Sequence, residues 1–189
     1  GGCSSHNGMV FVRGHAEDFN RWGSYGLKKW NYNHVLPYFK KLESWSGGEN
    51  FYRGANGPLK VNRSKINHHF PLFQAVLNAA KEAGHELFED SNGSKQEGFG
   101  TFDVTINKGK RNGAGRAYLD PVKNNSNLRI FTDSNVSKVI FKDKVAIGIE
   151  VEINEKKEKY FANKEILLSA GAINSPKLLQ LSGIGDAKD

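Results

Sequence analysis

Between Ile147 and Ile153 the chain alternates strictly: Ile147, Ile149, Val151 and Ile153 are apolar, whereas Gly148, Glu150 and Glu152 are small or charged. A period of two places one set on each face of an extended strand, so this segment requires a sheet with a dry side and a wet side. Residues 159–162 are expected to return as its partner across a charged turn over 154–158. The next apolar run behaves differently. Glu165-Ile166-Leu167-Leu168-Ser169-Ala170-Gly171 does not alternate, which predicts a strand buried on both faces. In open α/β sheets ligands gather at the carboxyl ends of such strands, and Ala170 and Gly171 are small enough to let a ligand approach. A helix is expected to follow, capped by Ser175 and begun by Pro176.

Upstream the pattern is helical. Val35, Tyr38, Phe39 and Leu42 have the i, i+3, i+4, i+7 spacing of a buried stripe, with Asn33 as cap and Pro37 near the first turn. A second helix is predicted from Pro71 to Gly84, with Phe73, Val76, Leu77 and Ala80 on one side. The β pattern returns over residues 99–106 and 128–152. The expected class is therefore α/β, in the sense of a mixed α+β arrangement.

Composition excludes several functions. The net charge is +7 over 189 residues, yet the lysines are scattered among glutamates. The nearest basic cluster, Lys108-Gly109-Lys110-Arg111, comes with no helix-turn-helix, finger or aromatic-stacking signature, so no nucleic-acid partner is expected. No apolar run approaches the ~20 residues that span a bilayer. Cys3 is the single cysteine, which excludes an internal disulfide framework. With no leader pattern, the expected setting is cytoplasmic, in solution or peripheral to a membrane. His68 and His69 are adjacent and lack a carboxylate or thiol at metal-ligand spacing, so no metal site is expected. His15, His34 and His85 read as surface or capping residues, and Trp30, Tyr32, Phe39 and Trp45 as packing aromatics.

Chemistry concentrates at the amino-terminal segment Gly1-Gly2-Cys3-Ser4-Ser5-His6-Asn7-Gly8-Met9. Adjacent glycines allow positive φ and close approach of backbone to a ligand, while Ser and Asn supply short donors suited to a phosphate or the edge of a heteroaromatic ring. The apolar continuation Met9-Val10-Phe11-Val12 argues against a frayed tail.

Gly1, Gly2, Ser4, Asn7, Gly8, Met9, Arg13, Gly14, Asp18 and Trp22 match, in order, the first signature of the glucose-methanol-choline oxidoreductases, and the chain resembles that family. Residues 171–185, Gly-Ala-Ile-Asn-Ser-Pro-Lys-Leu-Leu-Gln-Leu-Ser-Gly-Ile-Gly, look like its second signature. Gln96-Glu97-Gly98-Phe99-Gly100 and residues 112–119 look like family segments too, and the middle is most similar to choline dehydrogenase-like members.

The resemblance implies part of an FAD-binding Rossmann-like domain, residues 1–45 and 126–189, and part of an antiparallel-sheet substrate domain, residues 46–125. It implies FAD held by Gly1, Gly2, Ser4, Ser5, His6, Asn7, Gly8, Met9, Val136, Ala170 and Gly171, with the amino-terminal segment and the Ala170-Gly171 strand end meeting around it. His6 stands where choline oxidase carries a histidine bonded to the flavin 8α carbon, which implies covalent FAD; the alternative is a histidine that hydrogen-bonds a phosphate, a carbonyl or water. The implied reaction oxidises choline or another primary alcohol by hydride transfer to flavin N5, with oxygen or a quinone as acceptor.

Gly113-Ala114-Gly115 lacks the third glycine of the dinucleotide fingerprint, with Tyr118 in its place. In the family that fingerprint lies upstream and the catalytic His-His or His-Asn pair downstream. The chain therefore reads as an internal fragment with no catalytic base of its own, expected to bind FAD weakly in isolation. Two alternatives remain at this stage: an FAD-containing hydroxynitrile lyase-like enzyme and a cofactor-free interaction module.

Overall fold

The computed structural model describes residues 2–64 and 70–186. Gly1, His68 and His69 lie outside the described residues. The chain mixes helices and strands and divides into two compact units, Gly1–Asn125 and Ser126–Asp189.

In the first unit, strand β1 (Val10–Phe11) leads to helix α1 (Ala16–Ser24), a short 3-10 turn at Lys28–Trp30 and helix α2 (Tyr32–Leu42). His15 caps α1, its Nδ1 accepting from the Glu17 N–H at 3.2 Å. The cap of α2 is Asn31, whose Oδ1 accepts from the His34 N–H at 3.2 Å, and not Asn33 as the sequence suggested. The cap moves the start of the helix but not its periodicity, and Val35, Phe39 and Leu42 of the predicted stripe are half-buried. Leu36 is buried, and Tyr38, expected in the core, is 71% exposed. Pro37 falls inside α2 on its solvent side, where water can satisfy the carbonyl its missing N–H leaves unpaired.

Strand β2 (Glu43–Trp45) pairs in parallel with β3 (Leu59–Arg63). Helix α3 (Pro71–Glu82) begins at Pro71 and is followed by Gly84 at φ +81°, as predicted. Strand β4 (Asp103–Val104) lies antiparallel between β1 and β3, giving the sheet order β1-β4-β3-β2. Strands β5 (Ile106–Asn107) and β6 (Lys110–Arg111) form a hairpin whose tip is Lys108-Gly109, both at positive φ. The basic cluster of the sequence is thus a hairpin tip.

The interior of this unit is ionic. Arg53, Glu43, Val61, Asn92 and Asp103 are its largest fully buried side chains. Glu43 Oε1 receives Arg13 Nη2 at 2.7 Å, Arg53 Nε at 2.9 Å and the Gly54 N–H at 2.9 Å. Arg53 Nη2 donates to Glu43 Oε2 at 3.1 Å, and its Nη1 donates to both Asp90 and Asp103 at 2.7 Å. The Arg53 guanidinium lies 4.4 Å from the centre of the Trp45 ring. Gly54 is required here, because a Cβ would collide with the Lys40 carbonyl oxygen. Burial pulls the Arg13 pKa down against the opposing charge of Glu43. Burial also works against the Arg53 charge, but its bonds to Glu43 and Asp103 prevail and raise its pKa.

The second unit is an antiparallel meander of β7 (Ser134–Lys142), β8 (Val145–Ile153) and β9 (Lys156–Phe161), followed by helix α4 (Gly171–Leu181). Each hairpin turns on two residues at positive φ, Asp143-Lys144 and Asn154-Glu155, the geometry that matches strand twist. The second turn is shorter than predicted. Lys156, Lys157 and Glu158 belong to β9 itself, an edge strand on which charges discourage pairing with other chains. The alternation in β8 holds in part: Val151 is buried and Glu152 exposed, but Gly148, expected on the wet face, is buried against Tyr160 and Phe161 of β9.

Residues 165–169 form no helix and pair with no strand among the described residues, and Leu167 is 78% exposed. This corrects the expectation of a strand buried on both faces: burial needs neighbouring strands, and none here supplies them. The helix start is also corrected. α4 opens at Gly171, whose φ is +90°, and Pro176 lies within it, while Ser175 Oγ accepts from the Ala170 N–H at 3.0 Å. Ser175 therefore acts one turn earlier than a cap would, bracing the loop into the helix.

Ser182 joins α4 to the sheet. Its Oγ accepts from the Val139 N–H at 2.8 Å and donates to the Leu178 carbonyl at 2.6 Å. Ser182→Ala leaves the N–H of Val139, a 2% exposed residue, without that partner. The expected cost is about 1–3 kcal/mol, read as a lowered urea midpoint at unchanged slope.

Candidate functional site

The amino-terminal segment folds as one tethered loop. Gly2 has φ +82° with open space where a Cβ would stand, and Cys3–Ser5 forms a single 3-10 turn. That turn closes with the Ser5 N–H on the Gly2 carbonyl at 3.0 Å and the His6 and Asn7 N–H groups on the Cys3 carbonyl at 3.1 and 2.9 Å. Asn7 Oδ1 then accepts from the Met9 N–H at 3.1 Å. Met9 itself sits at φ +63°, a left-handed conformation unusual for a side chain of its size.

Residues more than ninety positions away hold this geometry. Arg111 Nη1 donates to the Asn7 carbonyl at 2.7 Å, to Asn7 Oδ1 at 2.8 Å and to the Ser4 carbonyl at 3.3 Å. Ser4 Oγ accepts from the Ala114 N–H at 3.0 Å, and the Met9 carbonyl accepts from the Thr105 N–H at 2.8 Å. Ser4, Asn7 and Met9 thus face the protein and are half-buried, while Gly2, Ser5, His6 and Gly8 are exposed. An exposed serine, an imidazole and two positions without side chains form a surface that can meet a flat, polar-edged ligand.

Val136 and Ala170, from the second unit, line one cavity of about 690 Å³ together with Ser137, Ile149, Ile166 and Leu178. That volume is within the range of small-molecule sites. A register shift between Val136 and Lys138 kinks β7 at the cavity, as bulges do beside binding sites. Ser137 Oγ donates to Glu150 Oε1 at 3.1 Å. Gly171 follows Ala170 at the start of α4. The structure therefore gathers the predicted residues into two groups, Gly2 to Met9 in one unit and Val136, Ala170 and Gly171 in the other.

The remaining sequence candidates pack. Trp22 and Trp30 meet edge to face at 6.0 Å, Phe19 and Phe39 at 5.5 Å, and Arg13 lies over Phe39 at 5.2 Å. Trp45 is covered by Arg53 and Arg63. The His34 ring bonds Asn31 Oδ1 at 2.8 Å, and His85 lies 5.3 Å from Phe99. Sequence reasoning missed the role of Arg111. Its one local signal was the turn glycine Gly109 two positions earlier, which does not reveal what the guanidinium reaches.

The family model GMC oxidoreductase matches residues 1–189. Mitochondrial choline dehydrogenase from Homo sapiens is 51% identical over 189 residues, which is 100% of this chain and 32% of that protein. The oxygen-dependent choline dehydrogenase of Rhizobium johnstonii is 51% identical over 185 residues, covering 98% of this chain and 33% of the relative. The chain thus spans about a third of the length of the curated relatives it matches. Among solved structures, pyridoxine 4-oxidase from Mesorbium loti superposes with a TM-score of 0.92 at 31% identity, covering 100% of this chain and 37% of that one. An FAD-dependent oxidoreductase from Chaetomium thermophilum gives 0.89 at 34% identity, covering 100% and 35%.

Proposed function

Because this chain belongs to the GMC oxidoreductase family, we propose that it is part of an FAD-dependent enzyme that oxidises an alcohol, with choline as the first substrate to test. The observation that carries this reading is the tethered loop Gly2–Met9. Its inner atoms are fixed by Arg111, Ala114 and Thr105, and its outer face offers Ser5, His6 and side-chain-free Gly2 and Gly8. That surface fits FAD, whose rings need flat clearance and whose edges need donors and acceptors.

In the full-length protein Gly1, Gly2, Ser4, Ser5, His6, Asn7, Gly8 and Met9 hold the cofactor, and Val136, Ala170 and Gly171 hold it through the second unit. Residues 1–45 and 126–189 then belong to the FAD-binding domain and 46–125 to the substrate domain. Bound FAD supplies the hydride acceptor for the carbinol carbon, and oxygen or a quinone takes up the electrons. This chain's own part is to bind and orient: Gly2 and Gly8 let backbone approach the cofactor, Ser5 meets its polar edge, and His6 is the point of attachment. A general base other than these cofactor-holding residues takes the proton of the alcohol.

The attachment is covalent through His6. A ring nitrogen of His6 would hold the flavin through its 8-methyl carbon, the imidazole N–H and one methyl hydrogen leaving as protons and the acceptor that serves turnover taking the two electrons. We place the protein in the cytoplasm, free or peripheral to a membrane. Among the described residues no helix is long and apolar enough to cross a membrane. Neither a lyase nor a cofactor-free module is favoured beside two choline dehydrogenases each 51% identical.

The test is anaerobic mixing of the full-length protein with choline and a panel of primary alcohols. Bleaching of the visible flavin band by one of them is the expected result. A purified protein without flavin, or a flavin that no alcohol reduces, contradicts it.

A further inference from the structure

We propose that Arg111 is a positioning residue for the flavin, acting through the amino-terminal loop and not by touching the cofactor. The assignment rests on the FAD reading above. It comes from a convergence: one guanidinium nitrogen, Nη1, meets the Asn7 carbonyl, Asn7 Oδ1 and the Ser4 carbonyl at 2.7, 2.8 and 3.3 Å. Two of these acceptors belong to the same residue, so the bonds fix backbone and side chain of Asn7 together. Asn7 Oδ1 also accepts from the Met9 N–H, which leaves Nδ2 as the side chain's remaining polar atom. The charge on the donor shortens and strengthens these bonds relative to neutral ones.

Strain at the loop's end points the same way. Met9 is left-handed at φ +63°, a conformation that persists only where the surroundings impose it. Here the Met9 carbonyl is held by the Thr105 N–H at 2.8 Å and by Thr105 Oγ1 at 3.3 Å, and its N–H by Asn7. Arg111, on β6, and Thr105, just before β5, therefore clamp both ends of the stretch carrying Ser5, His6 and Gly8. Arg116 Nη1 donates to the Arg111 carbonyl at 3.2 Å and braces the clamp from behind. Without Arg111 the loop loses the contact that sets which of its atoms face outward, and the flavin loses its fixed seat.

The experiment compares FAD affinity and the visible circular dichroism of bound flavin in the full-length wild-type, Arg111→Gln and Arg111→Lys proteins, with apoprotein melting as the fold control. Arg111→Gln is expected to weaken FAD at least ten-fold and to alter the flavin dichroism. Arg111→Lys keeps a cation on a shorter reach and is expected to restore part of both, to within a few-fold of wild type. A purely structural role would lower the melting point without changing the dichroism of the flavin that remains bound. Wild-type affinity and dichroism in a folded Arg111→Gln protein overturn the assignment. If Arg111→Gln does not fold, Arg111→Lys decides: a few-fold loss with altered dichroism supports the clamp, and unchanged values overturn it. A wild-type protein that binds no FAD fails the functional reading itself, and the clamp with it.

Discussion

Glu43→Gln is expected to destabilise the first unit by about 3–5 kcal/mol, the usual cost of removing one partner from a buried ion pair. Three donors converge on Glu43 Oε1: Arg13 Nη2, Arg53 Nε and the Gly54 N–H. A fourth, Arg53 Nη2, reaches Oε2 at 3.1 Å. Glutamine keeps the shape but removes the charge, and it turns one oxygen into an NH₂ group that must face a donor. Arg13 and Arg53, whose side chains are 1% and 0% exposed, would keep their charges with nothing of opposite sign at that point. Asp90 and Asp103 remain at 2.7 Å from Arg53, but they lie on its other side and no ion pair links them to Arg13. A loss of that size is a large fraction of a domain's usual net stability. It is measured by urea unfolding followed through tryptophan fluorescence, to which Trp45, stacked under Arg53, contributes. A loss below about 1 kcal/mol, the worth of a surface pair, would show that the cluster is not the unit's keystone.

His6→Ala is expected to convert acid-stable yellow protein into protein that releases all its flavin on acid precipitation. His6 is exposed and its backbone N–H is already used by the Cys3 carbonyl. Removing the imidazole therefore leaves the 3-10 turn of Cys3–Ser5 in place and takes away only the nucleophile. The full-length wild type should carry the mass of one FAD after denaturation, and the variant should not, while still binding FAD reversibly. A wild-type protein of unmodified mass, with its colour in the supernatant, removes the covalent bond from the account but leaves reversible binding by Ser5, Gly2 and Gly8 untouched.

Local pattern carried the elements whose determinants are local. The alternation over 147–153 became β8, and Pro71 and Gly84 bracketed α3. The charges over 154–158 suggest a wide turn, but lysines also mark edge strands such as β9, and the turn itself is only Asn154-Glu155. The run Ile166-Leu167-Leu168 has the composition of a doubly buried strand. Its neighbours are not supplied by the described residues, and Leu167 stands 78% exposed.

The ionic core was illegible for a different reason. Arg13 meets Glu43 across 30 positions and Arg53 meets Asp103 across 50, and no periodicity links residues so far apart. The amino-terminal loop divides along the same line. Its glycines, hydroxyls and imidazole announced a ligand-facing segment, but its tether to Arg111, 104 positions from Asn7, exists only in three dimensions.

The most direct measurement is backbone hydrogen exchange on the full-length protein with and without FAD. Peptides covering residues 2–9 should slow markedly on adding one equivalent of FAD, at the same concentration at which flavin fluorescence is quenched. Exchange in that loop unchanged at saturating flavin, with protection confined to other parts of the protein, would contradict its role as the cofactor's seat.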